Sequence, residues 1–492
     1  MESIWMSDYK KYNFGKLKNK TNTEVLIIGG GLAGLMTAYN LMKNNISFIL
    51  VEAELVAAGV SSKTTAKLTV GHDTFYQKIK NMHGIKRARA YYESQMQGLE
   101  LIKKIIKEEN IKCDFISEDI YIYANDIKGI KTLNKEYNVL KDIDANAKLY
   151  FNGKNAIKFK QAICYKDGAI FNPMKYMMGI LNILVTNNIP IYEKSRVTKI
   201  TKMDDYYEIL INDTKTINAN KIIMSCHYPI LNPSGLYFTK IYQSASYAIA
   251  FKTDLKIDSS YVCVDPPYYT LRRYNKNTLI IGGSDHYSGI DINFKNCFRQ
   301  LEKKIFALDK NAKIIKRWWT EDCMPIDSLP YVGHYSKKHK NILLITGFGK
   351  WGFTNSHIAA LNITKMLLGE KYDKLYKTNR WTLLKNLKNT MRMIIHSIDG
   401  LVISKILVRK GRLSDVKVDT GKVMKYKGMN ILVYKEKNNE YIILKNKCTH
   451  MGCSLFWNNV SKVWQSKCHG SVFDKYGNVL EGPALRPLER VK

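Results

Sequence analysis

A glycine-rich turn near the start of the chain joins a short apolar run to a helical pattern. The run at residues 24–28 is typical of a buried parallel strand, and four glycines follow it within residues 29–34, three of them at GxGxxG spacing. Residues 35–42 have the pattern of a helix, and a second apolar run at residues 48–51 ends in Glu52. A strand, a glycine turn, a helix, a second strand and an acid in this order predict a dinucleotide-binding unit and an α/β fold.

The three glycines and the acid have separate tasks in such a unit. Gly29 permits the tight turn, Gly31 lets the backbone approach a pyrophosphate at the helix N-terminus, and Gly34 allows the helix to pack on the strand. Glu52 is placed to accept hydrogen bonds from the adenosine ribose hydroxyls. An ordinary glycine-rich turn is the simpler alternative, but the flanking strands, helix and acid favour dinucleotide binding.

Length and charge limit the classes of protein to consider. A chain of 492 residues is too long for one core and predicts two or three domains. The formal charge is +34, but the basic residues are dispersed and no recognition motif accompanies them, so we expect no specific nucleic-acid binding. No apolar run reaches the ~20 residues of a membrane span, and the N-terminus lacks a signal-peptide pattern, so we expect a cytoplasmic protein without a transmembrane segment.

Two further segments bear on whether the dinucleotide is FAD or NAD. Residues 59–69 follow the acid and are rich in small hydroxyl side chains, which suit phosphate contacts. Residues 343–354 form a second strand with a glycine turn and open a helix. Together with the N-terminal unit, these segments resemble the FAD-dependent oxidoreductases of the D-amino-acid oxidase/glycine oxidase superfamily. The resemblance covers roughly residues 20–375.

The resemblance implies a set of cofactor contacts and a second domain. It places Thr64 and Thr65 along the flavin phosphates and the backbone of Val197 around the adenine, and it puts three glycines at the isoalloxazine end: Gly347, Gly349 and Gly352. It also implies that strand-like segments within about 90–165 and 235–315 form an antiparallel sheet. In that family such a sheet covers the flavin and forms the substrate pocket.

The catalytic residues are less well defined. His72, Lys350 and Trp351 lie in segments that the resemblance places near the flavin. Arg272 and Arg273 are candidates for clamping a substrate carboxylate, because a guanidinium group pairs with it through two hydrogen bonds. A structural role is the alternative for each, so His72, Lys350 and Arg272 are candidates rather than assignments.

Three of the nine cysteines crowd into the last part of the chain, beside two histidines. The segments are Cys-Thr-His-Met-Gly-Cys at residues 448–453 and Ser-Lys-Cys-His-Gly-Ser at residues 466–471. They closely resemble the two loops of a Rieske [2Fe–2S] domain, which is a small all-β domain. The resemblance implies Cys448, His450 and His469 as iron ligands, and Cys453 with Cys468 as the disulfide pair that ties the loops together.

One position departs from the Rieske pattern. The second ligand cysteine would stand three residues before His469, and Ser466 occupies that place. Serine is a poorer iron ligand, because its oxygen is hard and its proton leaves reluctantly. The alternatives are a cluster held with Ser466, a cluster held with a shifted Cys468, a zinc ion, or a domain without a metal that serves as a scaffold.

A basic segment connects the two regions. Its apolar residues recur at helical spacing: Leu384, Leu387, Met391, Ile394, Ile395 and Ile398. One interpretation is a helix that lies on a membrane surface. The other is an interdomain helix that packs its apolar face on the protein, which we favour because a second domain has to be positioned.

The combined prediction has three parts. Residues 1–375 form an FAD-dependent oxidoreductase with an inserted substrate domain, residues 376–412 a basic helical linker, and residues 413–492 a Rieske-like domain. The resemblance implies oxidation of a small amine or amino-acid-like substrate by hydride transfer to FAD. Electrons would then pass through a [2Fe–2S] centre to an unidentified one-electron acceptor. The alternative is a flavoenzyme whose Rieske-like domain lacks a cluster and docks a partner.

Overall fold

The computed structural model describes residues 1–153, 156–231, 235–380 and 386–491. Its α-helices are, in chain order, α1 (Leu32–Lys43), α2 (Phe75–His83), α3 (Ile85–Glu108), α4 (Ile127–Asp142), α5 (Pro173–Thr186), α6 (Phe294–Leu308), α7 (Gly352–Leu367), α8 (Leu387–Ile398) and α9 (Ser404–Ile406).

The strands divide among two large and two small sheets. They are, in chain order, β1 (Thr21–Ile28), β2 (Phe48–Val51), β3 (Lys67–Leu68), β4 (Ile116–Ala124), β5 (Ala147–Gly153), β6 (Phe159–Ile170), β7 (Ile191–Tyr192), β8 (Val197–Lys202), β9 (Tyr207–Ile211), β10 (Lys215–Met224), β11 (Ile241–Lys252), β12 (Ser260–Cys263), β13 (Tyr269–Asn275), β14 (Thr278–Tyr287), β15 (Lys313–Pro325), β16 (Tyr331–His334), β17 (Ile342–Thr346), β18 (Thr420–Tyr426), β19 (Met429–Lys435), β20 (Tyr441–Lys445), β21 (Leu455–Asn458), β22 (Val463–Ser466), β23 (Val472–Phe473) and β24 (Val479–Glu481).

The first large sheet has a parallel centre. Its order is β16-β17-β10-β1-β2-β7, and β8 and β9 extend it beside β10. Ile27 of β1 stands between Ile223 of β10 and Leu50 of β2. β2 and β17 are buried at every position, which is why their sequences are continuous apolar runs. The carboxyl ends of these strands therefore open at one edge, where such sheets bind ligands.

The second large sheet has nine strands and is mostly antiparallel. Its order is β15-β11-β14-β13-β12-β4-β6-β3, with β5 beside β6, and only β12 and β4 pair in parallel. The C-terminal region adds two small antiparallel sheets, β18-β19-β20 and β21-β22-β23-β24. The predicted fold class, an α/β cofactor domain with an antiparallel sheet and a small all-β region, is confirmed.

The helical segment before the small sheets differs from our expectation. α8, a π-helical turn (Asp399–Ile403) and α9 continue one another, but the linker residues 381–385, and Leu384 with them, lie outside the described residues. Within residues 387–407 only Met393 and Gly400 are buried, and the predicted apolar face points away from the protein. The helix touches the body along a narrow line, so it cannot bury that face. Among the described residues no helix combines the length and apolar character needed to cross a bilayer.

Candidate functional site

A cavity of about 1000 Å³ is lined by residues of both large sheets and of the C-terminal region. Its walls include the β1–α1 turn, the end of β2, the loop of residues 59–65 and the β17–α7 turn. These are the segments that the sequence singled out for cofactor binding. A cleft of this size suits a bound small molecule or cofactor.

The β1–α1 turn brings backbone to the cavity wall. Gly29 has a φ of +106°, and a Cβ at Gly34 would lie 1.9 Å from the carbonyl oxygen of Gly29, so neither position accepts a side chain without moving the turn. Gly31 precedes α1 and lines the cavity. The N-terminus of α1 therefore faces the cavity with the positive end of its dipole, which favours a phosphate group.

Glu52 lies at the end of β2, on the same wall. Its Oε2 accepts a hydrogen bond from the Gly30 amide at 2.7 Å, and its Oε1 accepts one from the Glu54 amide at 2.8 Å. Burial raises the pKa of Glu52, while these two amide donors act in the opposite direction. The carboxyl group is thereby fixed beside the glycine turn, at the cavity surface.

The other predicted cofactor residues also line this cavity. They are Thr64, Thr65, Val197, Gly347, Gly349 and Gly352. The hydroxyl of Thr65 accepts a hydrogen bond from Lys67 Nζ at 2.8 Å, and that of Thr64 accepts one from the Ala66 amide at 3.0 Å. The structure thus gathers residues from four distant segments around one space.

His72 lies deep in the protein beside Trp351. Their rings stack at 4.2 Å between centroids, and the His72 nitrogens lie 2.9 Å from the Tyr91 hydroxyl and 2.9 Å from the Thr69 carbonyl oxygen. Burial lowers the pKa of His72 to about 3. The imidazole is therefore neutral near pH 7, and it holds the indole of Trp351 against the cavity wall.

Arg272 does not reach the cavity. Its guanidinium group donates hydrogen bonds to the carbonyl oxygens of Arg273, Thr65, Ala66 and Phe171. It therefore ties β13 to the loop before β3, and Arg272 is not among the residues that line the cavity. Arg273 lies 3.8 Å from Glu118. Neither arginine is therefore proposed as a ligand of the substrate.

Lys350 lies in a cluster of three charged side chains, and the sequence had not singled out the two aspartates of that cluster. Its Nζ lies 2.5 Å from Asp285, and both residues line the cavity together with Asp322. Burial lowers the pKa of Lys350, but the carboxylates of Asp285 and Asp322 outweigh this effect and raise it. Burial raises the pKa of Asp322 to about 6. Two carboxyl groups and one ammonium group therefore share this wall.

Lys67 was also missed as a site residue. Its Nζ donates hydrogen bonds to the hydroxyls of Thr65 and Thr270, at 2.8 and 2.9 Å, and it lines the cavity. Burial lowers the pKa of Lys67 to about 7. Its place among hydroxyl residues was visible in the sequence, whereas its burial depends on the fold, which brings Thr270 of β13 to its ammonium group.

The two Rieske-like loops meet at the C-terminal region. Cys453 and Cys468 form a disulfide, so the predicted pairing is confirmed and Cys468 is not available as a metal ligand. The rings of His450 and His469 lie 5.0 Å apart and nearly perpendicular. Burial lowers the pKa of His450 to about 4 and that of His469 to about 3, which keeps both in the neutral form that binds metal.

Cys448 and Ser466 complete the set of predicted ligands. Cys448 is a buried free thiol, and its amide donates a hydrogen bond to the Cys453 carbonyl oxygen at 2.8 Å. Ser466 ends β22 opposite Leu455 and is 1% exposed. Both residues are thus held in the loops by backbone pairing.

The Rieske-like loops contact the cavity through one aromatic residue. The ring of Tyr228 lies 6.3 Å from that of His450 and 6.1 Å from that of His469. Tyr228 follows β10, is 3% exposed and lines the cavity. A single side chain therefore touches both the dinucleotide cavity and the histidine pair.

The C-terminal region also closes part of the cavity. Residues 480–482, 484 and 485 line it, and Glu481 forms an ion pair of 2.6 Å with Lys63. A Cβ at Gly289, before α6, would lie 2.0 Å from the Lys467 carbonyl oxygen. The two regions are therefore packed closely rather than loosely tethered.

Two protein-family models match the chain, one over its larger N-terminal part and one over its C-terminal region. Residues 24–366 match the model of the FAD dependent oxidoreductase family, DAO. The chain belongs to this FAD-dependent oxidoreductase family. Residues 407–492 of the oxidoreductase match the Rieske [2Fe-2S] domain.

Some known proteins resemble this chain in sequence, and others have a similar fold. The oxidoreductase is 28% identical over 500 residues to the "Putative Rieske 2Fe-2S iron-sulfur protein YhfW" of Bacillus subtilis, covering 100% of this chain and 97% of the relative. It is 23% identical to the gamma-glutamylputrescine oxidoreductase of Escherichia coli, over 75% of this chain and 90% of the relative. Glycine oxidase from Geobacillus kaustophilus has the same fold, with a TM-score of 0.62 and 13% identity over 74% of this chain and 100% of the neighbour.

FAD and a [2Fe–2S] cluster are therefore the cofactors of this oxidoreductase. The cavity fits FAD, because the α1 N-terminus and Gly31 leave room where a pyrophosphate needs close backbone approach. The loops offer one thiol, two neutral imidazoles and one hydroxyl. His469 Nε2 is buried and has no hydrogen-bond partner among the described residues. Coordination to an iron of the cluster would give this nitrogen its missing partner.

Proposed function

We propose that this oxidoreductase oxidises a small amine or amino-acid-like substrate at FAD and passes the electrons through its Rieske-type centre to a one-electron acceptor. The observation that carries the proposal is Tyr228, whose ring lines the FAD cavity and contacts both His450 and His469. The proposed parts are residues 1–375 for the flavoenzyme, 376–412 for the linker and 413–492 for the Rieske domain.

The charged wall of the cavity supports an amine substrate. Asp285 and Asp322 provide negative charge that attracts an ammonium group, and Lys350 keeps the pair from repelling each other. Lys67, whose pKa burial lowers to about 7, offers a cation to a substrate carboxylate below that pH. The relative from Escherichia coli is named for a substituted amine and the structural neighbour for an amino acid, which is consistent with this class.

The chain's own residues hold and shield the reactants. Gly29 and Gly31 seat the pyrophosphate, Gly34 lets α1 pack closely on the turn, Glu52 meets the ribose, and Val197 frames the adenine. Bound FAD supplies the two-electron acceptor for the substrate's hydride. Neutral His72 holds Trp351 in place, and the two rings exclude water from that wall. Lys350 remains the candidate for contacting the substrate, and His72 acts through Trp351 as a positioning residue.

Cys448, His450, His469 and Ser466 are the proposed ligands of the cluster. The disulfide removes Cys468 from the choice, so the hydroxyl of Ser466 is the remaining fourth donor in these loops. The oxygen of Ser466 is a harder donor than a thiolate and shares less electron density with iron, so the potential should differ from that of a site with two cysteines and two histidines.

The test is anaerobic mixing of the purified holoprotein with small amines, gamma-glutamylputrescine and amino acids. A substrate should bleach the flavin absorbance near ~450 nm and then produce the paramagnetic signal of a reduced cluster. Tyr228→Leu should slow the second phase without changing the first, whereas Tyr228→Phe, which keeps the ring, should slow it less. Equal second phases in all three proteins would remove Tyr228 from the electron path.

A second candidate function follows from Ser466. If the loops hold no iron, the C-terminal region serves as a scaffold that closes the FAD cavity and docks a partner, and the flavoenzyme uses another acceptor directly. Iron and acid-labile sulfide per chain distinguish the two functions. Flavin bleaching by substrate in a protein without iron would support the scaffold.

A further inference from the structure

The helical segment from Leu387 to Leu407 exposes a continuous row of apolar side chains. They are Leu387, Met391, Ile394, Ile395, Ile398, Val402, Ile403, Ile406 and Leu407, here called the apolar stripe. Their exposed fractions run from 43% to 75%. Among the described residues 24 large apolar side chains are exposed, and nine of them lie in this segment, so the stripe is a patch and not scattered surface.

The stripe has helical geometry and faces away from the body. Its members recur in steps of three and four residues, as on one face of a helix. The opposite face is the one that packs: Met393 joins a cluster with Tyr287 and Ile326, and the ring of His396 stacks on Tyr287 at 4.3 Å. Nothing in the described part of the chain covers the stripe.

Basic residues flank the stripe. Lys388, Arg392, Arg409, Lys410 and Arg412 are exposed, and Lys405 is half-buried. The segment from residue 387 to residue 412 has one acid, Asp399, whose carboxylate lies 3.5 Å from Lys467. The charge around the stripe is therefore strongly positive, and the whole chain carries +34.

We propose that the apolar stripe docks this oxidoreductase on an anionic membrane surface. A helix with one apolar face and basic residues beside it lies in the plane of a bilayer, with its apolar side chains among the acyl chains and its cations at the headgroups. The charge favours this occupant over a second copy of the chain, because a two-fold dimer through the stripe would bring the basic residues of both copies together.

The proposed orientation brings the Rieske loops close to the lipid. A Cβ at Gly400 would lie 2.5 Å from the sulfur of Cys468, and the Ser454 amide donates a hydrogen bond to the Gly400 carbonyl oxygen at 2.8 Å. The loops thus pack directly on the buried side of the helix. About one helix diameter, roughly 10 Å, separates them from the membrane.

The test is sedimentation of the full-length holoprotein with vesicles of phosphatidylcholine, alone or mixed with phosphatidylglycerol. The stripe variant is Ile395→Gln/Ile406→Gln/Leu407→Gln. The matched control is Ile127→Gln/Phe151→Gln/Ile315→Gln, which changes three exposed apolar residues elsewhere. None of these changes alters the net charge, so attraction of +34 to any polyanion is the same in all three proteins. Melting temperature and flavin absorbance check the fold.

Wild type and control should bind the anionic vesicles, and the stripe variant should bind them about a thousandfold more weakly, since each of its three side chains accounts for about tenfold. Arg409→Gln/Lys410→Gln should weaken binding and reduce its salt dependence. Wild type that stays unbound, or a stripe variant that binds as wild type does, would overturn the proposal. So would a wild-type dimer in sedimentation velocity that the stripe variant dissociates, because the occupant would then be a second copy.

Discussion

Gly400 of the linker packs against Cys468 of the second Rieske loop, with room for a hydrogen atom and no more. A Cβ at Gly400 would stand 2.5 Å from the Cys468 sulfur, which the disulfide holds in place. The contact joins the interdomain helix to the loops that carry the proposed ligands. The periodic helix and the cysteine- and histidine-bearing loops, which the sequence shows as separate features, therefore depend on each other at this contact.

Gly400→Ala should separate the helix from the Rieske loop, because neither the disulfide sulfur nor the helix backbone can yield easily. We expect a loss of about 1–3 kcal/mol in the free energy of unfolding and faster reduction of the disulfide by added thiol. Gly15→Ala is the control, since a Cβ there meets nothing within 4 Å. Equal thiol reactivity in both variants would show that the helix does not cover the disulfide.

Gly31→Val should abolish FAD binding while the fold survives. The backbone of Gly31 is extended, at φ −74° and ψ −175°, and a Cβ there would meet only the Ser61 hydroxyl at 3.3 Å. The protein can therefore accept a side chain that the pyrophosphate cannot. Flavin absorbance per chain and the melting temperature of the flavin-free protein are the measurements. A variant that retains full flavin would refute this placement of the pyrophosphate.

Two substitutions in the second Rieske loop separate the ligand roles. Ser466→Cys should increase iron occupancy, because it supplies the thiolate that the pattern calls for. Cys468→Ala should loosen the loops without removing a ligand, because its sulfur is in the disulfide. Iron, sulfide and the paramagnetic spectrum of the reduced form are measured for wild type and both variants. If wild type and Ser466→Cys both lack iron, the scaffold function stands.

The proposed oxidation of an amine should fall at acidic pH. Burial raises the pKa of Asp322 to about 6, so its carboxyl group is negative only above that pH and loses its attraction for an ammonium group below it. We expect kcat/KM for an amine to fall as the pH drops through about 6. Asp322→Asn should lower kcat/KM above that pH and remove most of the decline. The same acid limb in wild type and variant would assign the titration to another group.

Nucleic-acid binding should be weak and unspecific. The charge of +34 attracts any polyanion at low salt, but the basic residues are dispersed. Binding to duplexes of different sequence should be equal and should vanish near physiological salt. A preferred sequence that survives such salt would contradict this expectation.

The parts of the molecule that depend on local sequence were predictable. The glycine turn, Glu52 and the two Rieske loops are short segments in which residue type and spacing determine the chemistry. The group of Asp285, Asp322 and Lys350 was not predictable, because it comes together only through the pairing of β14 and β15 on either side of β11. Arg272 shows the reverse case, since its Nε and Nη1 donate to four backbone carbonyl oxygens that no sequence pattern reveals.

The linker helix illustrates a further limit. The spacing of its apolar residues was visible in the sequence, so the helix was predicted. The direction of its apolar face depends on what lies beside it, and the body offers only a narrow contact at Met393 and Gly400. A periodic pattern identifies a face without saying whether protein or lipid covers it.

Because residues 480–482, 484 and 485 close part of the FAD cavity, we expect a defined order of assembly. Synthesis runs from the N-terminus, so the α1 turn and the parallel sheet are made while that side of the cavity still lacks its cover. Flavin can therefore enter before the C-terminal strand arrives, and Glu481 then pairs with Lys63 over the loaded site. The last sheet of the chain would then cover the site after flavin has bound. A chain truncated before that sheet should therefore bind flavin quickly and also release it quickly.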